Sequence, residues 1–266
     1  MMDTISVHAT QREDGVFMVA WKWRCGNALH PVMGKIAVTV DPVHKEDRAS
    51  LAELRALYYL LEDRQIHGPR RLGKNLHVEV SSGAVRKALL KGSLKVYGVG
   101  KTAKNHIAMA AGFLATKYFE AKVDAAQWRD ETPAREEELV QVEQGFEWLH
   151  PTIACPLLQC RVGVTRHAMH RLVGRVDQKR DQYSEDDLSD VPDARWGAAW
   201  RWLETILANP NLCVPKLTAE AKKRTINKYG EKSFYLHFPD AQTIFIGSKD
   251  KMGNDTIVSV LRENVY

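Results

Sequence analysis

The stretches VFMVAWKW at Val16–Trp23 and VMGKIAVTV at Val32–Val40 decide how the first half of this chain is read. Both are rich in the β-branched and aromatic residues that suit a pleated, half-buried surface. Before them Ile5–Thr10 alternates apolar and polar side chains, and Asp14-Gly15 is the dipeptide of a tight hairpin. Three such runs predict an antiparallel meander. After the polar connection Asp41–Glu46, the residues Leu51, Leu54, Leu57 or Tyr58, and Leu61 keep helical spacing, with Asp47 placed to cap the start. Leu76–Val80 predicts a short strand, Gly83–Leu90 a helix, Val96–Val99 a strand, Asn105–Phe119 a helix rich in small residues, and Ala121–Trp128 an extended segment.

Three strands, a helix with an inward carboxylate, a strand and further alternating elements resemble the ribonuclease H-like fold. Arg48–Leu57, RASLAELRAL, resembles the first helix of that family, with Glu53 in the place of its metal-binding glutamate. His77–Val85, HVEVSSGAV, resembles the strand that ends in an aspartate-serine pair before the next helix. The departures carry consequences. Ser81 stands where the aspartate of the family is expected, and His8 or Thr10 stands near the first-strand aspartate. Two-metal hydrolysis needs several carboxylates converging on magnesium ions about 4 Å apart, because their charge holds the hard cations. Glu79, two residues before Ser81 and on the same strand face, offers a shifted substitute, which would make a magnesium nuclease of Glu53 and Glu79. The resemblance covers residues 1–128. It implies a degenerate ribonuclease H-like domain retained to bind nucleic acid or position a partner, with Arg86, Lys87, Lys91 and Lys95 as phosphate contacts.

The chain has 266 residues, enough for two ordinary domains, and its 44% hydrophobic and 27% charged residues are ordinary globular values. The longest apolar runs are too short for a bilayer, and the N-terminus does not read as a leader, so a soluble cytoplasmic protein is expected. The net charge of +5 is unevenly placed. Between Arg64 and Lys104 the bases outnumber the single acid Glu79, and from Asp130 to Glu147 the sign reverses. Such a block suits a polyanion-binding patch, or equally a solvated lysine-rich face. Cys25, Cys155, Cys160 and Cys213 are too scattered for a disulfide framework and fit a reducing compartment. Cys155, Cys160, His167 and His170 also make a complete zinc donor set on paper, against the reading of ordinary thiols and surface histidines.

Residues 129–160 read as a helical linker, with Leu139, Val142, Phe146 and Leu149 at helical spacing and Pro151 and Pro156 ending it. Within 161–266, TRHAMHRLVGR at Thr165–Arg175 turns His167, His170 and Arg171 to a common side of a helix. Imidazoles move protons near neutral pH and guanidinium groups stabilise extra charge on a pentacoordinate phosphate. The same helix also reads as a solvated basic face with Ala168, Met169 and Leu172 in a core. Tyr183–Asp193 reads as a loop, Ala194–Ala208 as an amphipathic helix, and Ser233–Phe238, Gln242–Gly247 and Thr256–Leu261 as three strands. Helices first and an antiparallel sheet afterward give a small domain, and the whole chain is expected to be α+β with two domains.

A helix opening HAMHR, a second helix ending near Asn209-Pro210, a basic region and a last strand Thr256–Leu261 resemble the RelE, colicin D and barnase group of metal-independent ribonucleases. That resemblance implies His167 as acid or base, Arg171 on the phosphorane oxygens, Tyr235 (with His237) and Thr256 (with Ser259) completing the site, and Lys222, Lys223 and Arg224 along the RNA backbone. It implies no metal or other cofactor, RNA as the partner with DNA in second place, an inhibitor or partner protein, and a toxin or mobile-element conflict protein of a plasmid or phage. The alternative is a catalytically inactive nucleic-acid-binding or protein-interaction factor on two nuclease-like scaffolds.

Overall fold

The structure, a computed structural model, describes residues 2–12, 15–26, 28–41, 48–83, 85–86, 105–126, 140–144, 149–176, 193–250 and 253–262. The chain divides into two compact units, Met1–Leu149 and His150–Tyr266, each with its own sheet and helices, so the fold is α+β in two parts.

In the first unit β1 (Asp3–Gln11), β2 (Val16–Arg24) and β3 (Val32–Val40) pair antiparallel in succession. Helix α1 (Arg48–Tyr58) runs on into a π-helical turn at Tyr59–Asp63. Then β4 (Leu76–Val80) pairs parallel with β1, and β5 (Lys122–Ala125) parallel with β4, after the short helices α2 (Asn105–Ala110) and α3 (Gly112–Thr116). The sheet order is β5-β4-β1-β2-β3-β6, a mixed sheet in which β1, β2 and β3 are antiparallel neighbours and the other strands add in parallel. The edge strand β6 (Val140–Gln144) corrects the sequence reading of a helical linker, because its backbone pairs parallel with β3 from Ile36 to Val40. The single helix expected at Asn105–Phe119 is broken at Ala111. Of the helix expected at 83–90 only residues 83, 85 and 86 are described, and the expected strand at 96–99 lies outside the described residues.

Period-two alternation sorts the sheet into two faces. Ile5, Val7, Phe17, Val19, Trp21, Ile36, Val38, Val78 and Val80 point to one face and are buried with Leu51, Leu54 and Leu57 of α1. At about 25 cal/mol per Å² of apolar area, this burial is the main term holding α1 to the sheet. Trp21 faces Gly34 across the β2–β3 pair, and a Cβ on Gly34 would lie 2.8 Å from the indole, so glycine there makes room for the ring.

In the second unit β7 (Thr152–Cys155) and β8 (Cys160–Val164) form a hairpin, followed by α4 (Arg166–Val176), α5 (Asp193–Leu207) and α6 (Ala219–Tyr229). The strands β9 (Phe234–Phe238), β10 (Thr243–Lys249) and β11 (Asp255–Arg262) close the chain. The sheet order is β7-β8-β11-β10-β9, with β8 and β11 parallel. The expected three-stranded antiparallel sheet is therefore a five-stranded one with one parallel seam. The extra hairpin turns at Pro156, which the sequence alone marks only as the end of a helix.

Candidate functional site

In the first unit Glu53 is fully buried on α1, and its carboxylate is claimed by protein donors. Ser81 Oγ donates to Oε1, the Ala9 amide donates to Oε1 at 3.2 Å, and the Ser82 amide donates to Oε2 at 3.1 Å. Burial raises its pKa, partly offset by the hydrogen bonds from Ser81, Ser82 and Ala9 and by nearby His8. A metal-binding carboxylate needs the opposite, a stable charge with free lone pairs. Glu79 is on the other face of the sheet from the α1 core. Ser6 Oγ donates to it at 2.5 Å, His77 Nδ1 lies 3.9 Å away, and His77 Nε2 meets Asp124 at 2.9 Å, which also pairs with Lys122 at 2.7 Å. Glu53 and Glu79 are thus separated by the sheet they flank. Among the described residues no three of His, Cys, Asp and Glu are grouped to hold a metal ion. The zinc set Cys155, Cys160, His167 and His170 is accordingly not assembled; Cys155 and Cys160 simply face each other across the β7–β8 hairpin. Arg86 is half-exposed, while Lys87, Lys91 and Lys95 lie outside the described residues.

In the second unit α4 starts at Thr165, whose hydroxyl accepts from the Ala168 amide at 3.1 Å as an N-cap. The helix buries Ala168, Met169, Leu172 and Val173, which leaves His167, His170 and Arg171 half-exposed along its other side. His170 is held on two sides. Arg166 Nε donates to its Nε2 at 3.1 Å, and the ring stands edge-on to Trp196 with centroids 5.3 Å apart. Burial, with the charges of Arg166 and His167, pushes its pKa down to about 3, so it is a neutral acceptor at physiological pH rather than a proton shuttle.

The sheet places the other expected residues apart from this helix. Trp202 on α5 meets Phe245 at 6.4 Å between centroids, and α4 joins α5 through His170 and Trp196, so both helices cover the Phe245 face. Tyr235 pairs with Ile246, one residue on, and Thr256 pairs with Ser248, which puts both on the opposite face with Ser259. His167 and Arg171 therefore share a helix, whereas Tyr235 and Thr256 share the far side of the sheet. Thr256 is buried there beside Gly163 and His150; a Cβ on Gly163 would be 2.9 Å from Thr256 Oγ1 and 3.4 Å from His150 Cβ. Burial pushes His150 down to about 4 against the opposing pull of Asp250. His150 and Ser233 escaped the sequence reading, because one ended an apparent linker and the other is a lone serine at a strand start. Lys222, Lys223 and Arg224 are exposed on α6, with Arg224 paired to Glu220 one turn away.

No family model and no curated protein matches this chain. Among solved structures, the chain is similar to RNase H1 from the halophilic archaeon Halobacterium salinarum NRC-1, at 15% identity and a TM-score of 0.30, covering 47% of this chain and 86% of that one.

Proposed function

We propose that the protein acts on RNA, with the second unit cleaving the phosphodiester backbone without a metal ion and the first unit binding nucleic acid. The observation that carries this reading is the exposed side of α4, where His167 and Arg171 stand one turn apart beside a neutral, anchored His170. In this reading the 2'-oxygen of RNA attacks phosphorus, its proton passes to His167, and the bond to the 5'-oxygen breaks. That oxygen takes up a proton from solvent, leaving a cyclic phosphate and a free 5'-hydroxyl, and His167 returns its own proton to solvent. Arg171 spreads its planar donors over the phosphorane oxygens. On the other face of the sheet, Tyr235 is assigned to binding rather than to the bond-breaking step, and Thr256, buried beside Gly163, to packing. Lys222, Lys223 and Arg224 supply backbone charge.

The first unit contributes affinity. Glu53 is satisfied by Ser81, Ser82 and Ala9, which suits a structural carboxylate in a domain that has left magnesium chemistry behind. The resemblance of the second unit to toxin ribonucleases leads us to place the protein in the cytoplasm as a toxin or mobile-element conflict protein of a plasmid or phage, held in check by an inhibitor protein. The test is cleavage of labelled RNA in the presence of a chelator by wild-type and His167→Ala proteins. A second reading, an inactive binding factor, is favoured by the separation of Tyr235 and Thr256 from α4, and it predicts salt-sensitive RNA binding with no cleavage.

A further inference from the structure

Helix α6 is unlike the other long helices of the second unit, for none of its residues is buried. It is nonetheless well made, capped by Thr218, whose hydroxyl accepts from the Ala221 amide at 3.2 Å. A cavity of about 400 Å³ opens between this helix, the segment before it and strand β9.

The lining has three chemistries. Val214, Pro215, Ile226 and Phe234 supply apolar walls, of which Val214 is 64% exposed. Ser233 and Tyr235 also line it, and each hydroxyl oxygen is buried with no hydrogen-bond partner among the described residues. Native proteins rarely leave such atoms unpaired, because each forfeits its bonds to water on burial. Lys222 and Glu231 lie at the rim, both exposed, with Lys223 and Arg224 next along α6.

We propose that this cavity is a nucleotide-binding pocket, in which a nucleobase lies against the apolar walls with its phosphate on Lys222, and the side chains of Ser233 and Tyr235 turn to bring their buried, unpartnered hydroxyls onto its polar edge. A flat heterocycle has an apolar face for Pro215 and Ile226, donors and acceptors around its rim for the two hydroxyls, and an attached anion for the lysine. Glu231 adds an acceptor for an exocyclic amine. The volume is within the ordinary range of small-molecule sites. The choice of a nucleobase over other aromatic anions rests on the RNA reading above. The nucleotide is either a residue of an RNA strand or a free nucleotide, since both present the same base and phosphate.

The test is titration calorimetry on the full-length protein with the four ribonucleoside 5'-monophosphates, with 2'-O-methyl oligonucleotides that cannot be cleaved, and with ribose 5-phosphate. Saturable binding of a monophosphate identifies a free-nucleotide site; binding of an oligonucleotide alone identifies an RNA subsite; ribose 5-phosphate binds neither way. In both cases Tyr235→Phe weakens binding about five- to tenfold, as loss of one hydrogen bond should, and Ile226→Trp, which fills the cavity, abolishes it. His167→Ala leaves the affinity unchanged, so cleavage and pocket are separated. Absence of binding by every base-bearing probe, or binding indifferent to both pocket substitutions, overturns the pocket whatever the cleavage assay shows.

Discussion

Lys117 and Glu62 form an ion pair at 2.9 Å with side chains 1% and 0% exposed, and Tyr118 donates its hydroxyl to the same Glu62 oxygen at 2.7 Å. They tie the π-turn that ends α1 to the segment after α3, across 55 residues of sequence. Lys117→Ala removes the counter-charge and leaves the carboxylate in the interior. Breaking a buried pair from one side costs about 3–5 kcal/mol, and the deleted side chain adds a cavity term of about 1 kcal/mol or more. At about 2–4 °C per kcal/mol for a unit of this size, the unfolding transition of the first unit should fall by about 10–20 °C. Lys117→Met combined with Glu62→Gln removes both charges while keeping volume and an acceptor for Tyr118, and should recover most of that loss. Differential scanning calorimetry with urea melts would measure both. A loss below about 1 kcal/mol in Lys117→Ala, or a double variant as weak as the single one, would refute the view that the pair is buried and interdependent.

Other consequences are open to direct measurement. His170 and His150 have folded pKa values near 3 and 4, below the ordinary 6.5, so the folded second unit binds fewer protons than the unfolded chain. Its stability is full above pH 6.5 and is lost as pH falls from 6.5 through 4 toward 3, which urea melts across that range would show; a flat profile contradicts it. Glu53 has the opposite sign. Its raised pKa makes its contribution largest at low pH and smaller as pH rises through the folded value, and carboxyl NMR should find it still titrating after exposed glutamates have finished. Gly34→Ala would drive a methyl into Trp21 and destabilise by about 1–3 kcal/mol, where a neutral outcome on chemical denaturation would argue against that pairing. Tyr235→Phe removes a buried hydroxyl with no partner and should leave the ligand-free protein equally stable or about 1 kcal/mol more stable.

Long, strongly patterned elements were legible in the sequence. The alternation of Phe17, Val19, Trp21 and Trp23 is realised as the buried side of β2, and Leu51, Leu54 and Leu57 are the buried stripe of α1. The three C-terminal strands and the helix carrying His167 also stand where their patterns put them. Edge strand β6 was hidden because VQVEQ is short, acidic and consistent with either period; pairing with β3 decided it. The β7–β8 hairpin was hidden by its turn. Pro156–Leu158 forms a 3-10 turn and Gln159 takes φ of 54°, and the same device recurs at Pro239–Ala241 with Gln242 at φ of 47°. Glycine or asparagine there would have signalled a left-handed position, but glutamine does not. The candidate site was legible only in part. Spacing brought His167 and Arg171 together on one helix, whereas the division of Tyr235 and Thr256 onto the other face depends on strand order and a bulge near Ile246 and Gly247, which no local pattern encodes.

The most direct test of the central claim is cleavage of labelled total RNA by the purified protein and by its His167→Ala, Arg171→Ala double variant, each with and without EDTA. The account predicts cleavage by the wild type that survives chelation, yields cyclic phosphate ends and is lost in the folded double variant. Absence of cleavage by a folded wild-type protein, or cleavage that EDTA abolishes and the double variant retains, would contradict it.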